Sequence, residues 1–197
     1  MSSPVLRIFR LNAITNYNSR NLFYFGHGGP NGLGGYDNQN PGNGKGITAI
    51  EIETNLNNVP FLLMMTLGPK PNPHRYRFVF IDGCSSADGV LPFAFGITNN
   101  RDPDLNPYQP GEGRPSAYMG FSGKPAVGIY NTGVYLYHPN YVGHLWTEWA
   151  LNGRTLEDAR QHAYDDYKNI DVAGFPIGKL KIVGYRKLHF NEANTNP

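Results

Sequence analysis

Two short apolar runs in this chain each end at a glycine beside a reactive side chain, and a further apolar segment, 61–67, is ended by Gly68-Pro69. Phe78-Val79-Phe80-Ile81 is apolar throughout, the pattern of a strand covered on both faces within a mostly parallel sheet. Asp82-Gly83 breaks that run, so Cys84 falls just past the carboxyl edge of the sheet, where open α/β folds place their ligands. Leu22-Phe23-Tyr24-Phe25 has the same form and stops at Gly26-His27-Gly28-Gly29. As parallel neighbours, the two strands bring His27 and Cys84 out at one edge.

Other elements follow from weaker patterns. Residues 5–11 read as a strand and 12–20 as a polar loop. Residues 28–46, almost entirely Gly, Asn and Pro, read as a loop or flap over the sheet edge,. The stretch 47–56 is assigned to a helix, because Thr48 followed by Glu51 makes a capping box and a crossover between parallel strands needs one. After Cys84, residues 87–95 suggest a short helix whose amino end lies at the thiol, with Pro92 counting against it. Residues 117–121 form the next strand, 123–138 a hairpin or irregular loop, and 99–115 a polar loop. Helical spacing covers 141–151 and 155–167, with Asn152-Gly153 as the stop between them and Thr155 and Asp158 as cap and partner,. Residues 180–185 close the sheet, and the tail 191–197 reads as disordered. The sum is one α/β domain over residues 1–190, with a mainly parallel sheet and helices on both faces.

Composition narrows the function classes. A chain of 197 residues with 24 Gly and 16 Pro suits short regular elements joined by structured loops. The net charge of +2, with basic residues scattered, argues against a nucleic-acid footprint,. No window reaches the length of a membrane span and the first residues lack a secretory pattern,. One cysteine allows no internal disulfide and is compatible with a reducing compartment,. A cytoplasmic protein without a membrane partner is the expectation.

Candidate chemistry centres on the two glycine-flanked positions. A thiol beside an imidazole is a nucleophile beside its base, and Cys84 and His27 stand 57 residues apart, against roughly 50 in the caspase pattern. The ordinary reading of a lone cysteine is a small buried hydrophobe. Its setting at a strand end, followed by Ser85-Ser86, places it where backbone N–H groups lower a thiol pKa and hold an oxyanion. A metal site from His27, His74 and Asp37 is a minor alternative, lacking any paired spacing,. Asp102, Asp104 and Glu112 suit either a calcium loop or a solvated turn. The aromatic series Tyr130, Tyr135, Tyr137, Tyr141, Trp146 and Trp149 suits a ligand platform or core packing; packing is preferred for the two tryptophans, three apart on one helical face.

Phe25-Gly26-His27-Gly28-Gly29 and Ile81-Asp82-Gly83-Cys84-Ser85-Ser86 resemble the two catalytic motifs of the caspase-like cysteine peptidases. Gly83-Cys84-Ser85-Ser86 is most similar to the separase and CHAT-domain branch. Gly46-Ile47-Thr48-Ala49-Ile50-Glu51 resembles the helix start between the motifs, and residues 144–151 with 153–159 resemble the late helix pair. The resemblance implies a caspase-like fold and a cysteine endopeptidase acting on a peptide or protein substrate. Cys84 would be nucleophile and His27 base, with Gly28 and the main chain at Gly83-Cys84 forming the oxyanion hole and no cofactor required. Asp82, Ser85 and Ser122 are the candidate substrate-binding residues. Where that branch is expected to carry an acidic residue for a basic P1 side chain, this chain reads Phe121-Ser122-Gly123, so Arg or Lys specificity is not implied. A regulatory domain or partner protein is compatible with this reading.

Two alternatives stay open. A catalytically inactive caspase-like module would serve binding or assembly. An α/β-hydrolase esterase would use His27-Gly28-Gly29 as an oxyanion loop and one of His138, His144, His162 or His189 as base. Its nucleophile elbow fails, since Asp82 and Ser86 stand at the glycine positions,.

Overall fold

The computed structural model describes residues 20–34, 46–57, 76–98, 115–123, 137–167 and 180–194. Its main sheet contains β1 (Asn21–Phe25), β5 (Phe78–Asp82), β6 (Ala117–Phe121) and β7 (Leu180–Gly184), in the order β1-β5-β6-β7. The first three are parallel and β7 is antiparallel to β6. A smaller antiparallel sheet holds β2 (His27–Gly29), β3 (Gly32–Gly34) and β4 (Ile47–Thr48).

The continuous apolar run of β5 exists because both of its faces are covered. Phe78 and Phe80 point into one core with Met119, Phe121, Leu180 and Ile182, while Val79 and Ile81 point into the other with Tyr118. The first core is closed by α3 (Tyr137–Trp146), its continuation Thr147–Leu151, α4 (Leu156–Tyr167) and α5 (Phe190–Asn194). The second is closed by α1 (Ala49–Asn57) and α2 (Leu91–Ala94), through Ala49, Ile52, Leu91 and Ala94. The fold is therefore α/β, with a mostly parallel mixed sheet flanked by helices.

Both capping boxes form as expected. The Thr48 hydroxyl accepts from the Glu51 N–H at 3.2 Å while the Glu51 carboxylate accepts from the Thr48 N–H at 2.9 Å,. The Thr155 hydroxyl accepts from the Asp158 N–H at 3.1 Å and donates to its carboxylate at 2.7 Å.

Four expectations need correction. Residues 28–34 are not a loop but most of a hairpin, whose strands pair through the backbone. The helix after Cys84 spans only Leu91–Ala94, with a proline in its first turn, so its amino end lies well past the thiol; Pro92 suits a helix start and not a helix interior. The helix expected over 141–151 changes at Trp146 into one π-helical turn, closed by the Asn152 N–H donating to the Thr147 carbonyl at 3.0 Å. In the expected disordered tail, residues 191–194 belong to α5, where Ala193 is fully buried and the Glu192 carboxylate accepts from the His189 N–H at 2.9 Å. The expected strand at 5–11, the apolar segment 61–67 and the loop 99–115 lie outside the described residues, as do His74, Asp37, Asp102, Asp104, Glu112, Tyr130 and Tyr135.

Buried Glu148 sits at the π-helical turn, held by the Arg154 guanidinium and by Asn152 Nδ2 at 2.7 Å. His144 Nε2 and His162 Nδ1 stand 3.6 and 3.7 Å from its carboxylate, and His144 Nδ1 is 3.0 Å from Asp166. Burial alone would raise the Glu148 pKa, but Arg154, Asn152 and His144 outweigh it and hold the carboxyl below its ordinary value,. A carboxyl depressed on folding contributes stability at pH above its unfolded value and loses it as pH falls through the folded one. Glu148→Gln is therefore expected to cost about 1–2 kcal/mol near neutrality and to flatten the decline in melting temperature below about pH 4.5, as read by thermal melts across pH.

Candidate active site

The β1–β5 ladder pairs Asn21 with Phe78 and Phe25 with Asp82, a constant offset of 57 positions that His27 and Cys84 share. The Gly26 N–H extends that ladder by donating to the Asp82 carbonyl at 3.1 Å. There the chain leaves the main sheet: Gly26 has φ of +155°, a conformation that glycine supplies without steric cost, and the next residue begins β2. Strand β2 then crosses the end of β5 at backbone contact. A Cβ on Gly83 would lie 3.0 Å from the Gly26 carbonyl oxygen and 3.1 Å from both N and Cα of Gly28, and one on Gly28 would lie 3.2 Å from Gly83 Cα. Glycine at both positions lets the His-bearing and Cys-bearing segments meet.

Cys84 is a free, half-buried thiol and His27 is exposed. Ser85 takes a left-handed φ of 50°, the one non-glycine residue to do so among the described residues, and its N–H donates to the Gly123 carbonyl at 2.5 Å. A strained residue directly after the thiol persists only where its surroundings over-determine it, and Ser86 provides much of that constraint. Fully buried, it donates from Oγ to the Ile81 carbonyl at 2.8 Å and accepts from the Phe121 N–H at 3.0 Å. Its own carbonyl accepts from the Tyr118 hydroxyl at 2.6 Å; burial pushes that phenol well above its ordinary pKa. The turn is thus tied to both β5 and β6.

A second clasp comes from Asp88. Its carboxylate accepts from the Ser122 hydroxyl and the Gly123 N–H, each at 2.6 Å, and pairs with Lys181 at 3.2 Å. Its desolvation would raise the pKa, but those three donors lower it to about 2. Because β7 runs antiparallel to β6, the start of β7 reaches this edge and delivers Lys181 to it.

Comparison with family models, curated proteins and solved structures finds no match to this chain.

Of the candidate residues, Gly28 meets Gly83 and Cys84 through main-chain atoms, while His27 precedes Gly28 in β2 and Cys84 follows the end of β5. Asp82 is buried at the end of β5. Ser85 is half-buried within the strained turn, and Ser122 spends its hydroxyl on Asp88. Among the late histidines, His144 and His162 join the Glu148 cluster and His189 Nδ1 lies 3.1 Å from the Gly153 carbonyl. Trp149 is buried and Trp146 packs beside it, centroids 5.4 Å apart, as core residues. Among the described residues no group of three or more His, Cys, Asp or Glu is arranged to hold a metal ion, and no helix is long and apolar enough to cross a membrane.

Sequence reasoning gave no role to Tyr24, Ser86 or Asp88. Tyr24 lay inside an apolar run and Ser86 beside the nucleophile, where an apolar or small-residue pattern conceals a hydrogen-bonding duty. Asp88 stands past the motif, with nothing in its local pattern to mark it.

Proposed function

We propose that this chain is a caspase-like cysteine endopeptidase, with Cys84 as nucleophile, His27 as general base and peptide or protein as substrate. The observation that carries this reading is the close main-chain approach of Gly28 to Gly83 and Cys84, just past the parallel β1–β5 ladder that ends at Phe25 and Asp82. His27 takes the thiol proton, the thiolate adds to the scissile carbonyl, and the amine leaves with a proton returned from the imidazolium. Water then hydrolyses the thioester with His27 again as base. Main-chain N–H groups at Gly28 and Gly83-Cys84 are the proposed oxyanion donors; of the candidate substrate-binding residues, half-buried Ser85 is the one proposed to face substrate, since Asp82 is buried and the Ser122 hydroxyl is held by Asp88. The chemistry needs no cofactor.

The competing reading, a caspase-like binding module without turnover, is favoured by one observation: α2 begins at Leu91, so its amino end does not assist the thiol. The rate of iodoacetamide alkylation of Cys84 against pH separates the two. For a peptidase, labelling is fast below the ordinary thiol pKa of about 8.5 and this advantage disappears in His27→Ala. Slow labelling, the same in both proteins, selects the binding module.

A further inference from the structure

We infer that Tyr24 is a positioning residue for the general base, an inference that rests on the peptidase reading of His27 and Cys84. The Tyr24 hydroxyl lies 3.0 Å from the His27 carbonyl oxygen and 3.2 Å from the Gly34 carbonyl oxygen, so its one proton is shared between the two strands of the hairpin. Those strands are already paired, His27 opposite Gly34. The hydroxyl therefore ties this pair back to β1, the strand from which the chain has just departed at Gly26.

Other ties act further along the hairpin, where β3 pairs with β4 and the Pro30 and Asn31 carbonyls accept from the Val90 and Ala49 N–H groups at 3.0 and 2.9 Å; its base, at the departure from β1, is the glycine-rich part. Gly26 at φ +155° offers the least resistance to rotation of any residue type, and β2 and β3 are each only three residues long, with glycine at four of their six positions. Little side-chain packing holds so glycine-rich a hairpin, though Leu33 is buried against the second core. Tyr24 is well placed to supply a restraint at that base: its ring packs against that same core, and its oxygen would stand 2.9 Å from a Cβ on Gly26. A ring anchored in the core thus presents a hydroxyl to the backbone of the base residue. The consequence lies in the imidazole's position relative to the thiol and not in the stability of the domain, since one shared hydrogen bond at a half-exposed site contributes little to the whole fold.

The test is a cycle of four proteins: the parent, Tyr24→Phe, His27→Ala and the double variant. Each is read by the iodoacetamide alkylation rate of Cys84 across pH, together with its melting temperature. Tyr24→Phe keeps the ring and removes the hydroxyl; it is expected to slow alkylation at neutral pH about five- to tenfold and to move the pH midpoint toward that of His27→Ala. Melting should be nearly unchanged, and the double variant should match His27→Ala alone. An unchanged rate in Tyr24→Phe overturns the assignment. A fall of equal size in the parent and His27→Ala backgrounds, with or without a drop in melting temperature, also overturns it, since the hydroxyl would then act on the fold and not through His27. If His27→Ala itself alkylates like the parent, the dyad fails and the positioning role fails with it. That result is distinguishable from the others because it does not depend on Tyr24.

Discussion

Cys84→Ala and His27→Ala are each expected to lower hydrolysis of a fluorogenic peptide library by roughly a thousandfold or more, with melting temperatures close to the parent's. The two losses are expected to be far from additive, because nucleophile and base act as one unit. Folding should survive both changes. His27 is exposed and Cys84 half-buried, so neither alanine empties a core position, and the turn around Cys84 is held chiefly by Ser86 and Asp88. Full hydrolysis by either variant removes the dyad from the mechanism.

Gly83→Ala should also lower turnover, to a smaller degree and for a steric reason. Its Cβ would meet the Gly26 carbonyl at 3.0 Å and the Gly28 N and Cα at 3.1 Å, and all three are main-chain atoms that cannot rotate aside. The hairpin base must shift away from the end of β5, costing about 1–3 kcal/mol by overpacking. A displacement of this kind is expected to reduce turnover about a hundredfold. Gly29→Ala is the matched control: its Cβ meets nothing within 4 Å, so stability and rate should both stay near those of the parent. Measuring kcat and melting temperature for the pair decides the matter, and a Gly83→Ala protein as active as the Gly29→Ala control would show that the crossing need not be close.

The parts of this architecture readable from sequence are those where side chains carry the pattern. Phe78-Val79-Phe80-Ile81 needs cover on both faces, and the structure supplies two cores; Thr48 with Glu51 and Thr155 with Asp158 announce helix starts that form. The β2–β3 hairpin was hidden because its pairing resides in glycine main chain, where no alternation of side chains exists to be read. The π-helical turn was hidden for a different reason: a single extra residue per turn leaves the short-range spacing of Tyr141, Leu145 and Trp149 looking α-helical. By contrast, α5 has a trace in the sequence, because Glu192 three residues after His189 forms a cap. For the candidate site, sequence located His27 and Cys84 at strand ends, but the Asp88 clasp joins positions 34 and 93 residues apart. No local pattern encodes such a pairing.

The aromatic layer on one side of the sheet has a practical corollary. Both tryptophans stand there, within 5.4 Å of each other and in edge or tilted contact with Phe78, Phe80 and Phe190. Intrinsic tryptophan emission is therefore an optical reporter of the α3–α4 side alone. Opening of the opposite layer, where Tyr76, Phe95 and Tyr118 cluster, would leave that signal dark, and only a tyrosine-sensitive probe such as near-ultraviolet circular dichroism would register it.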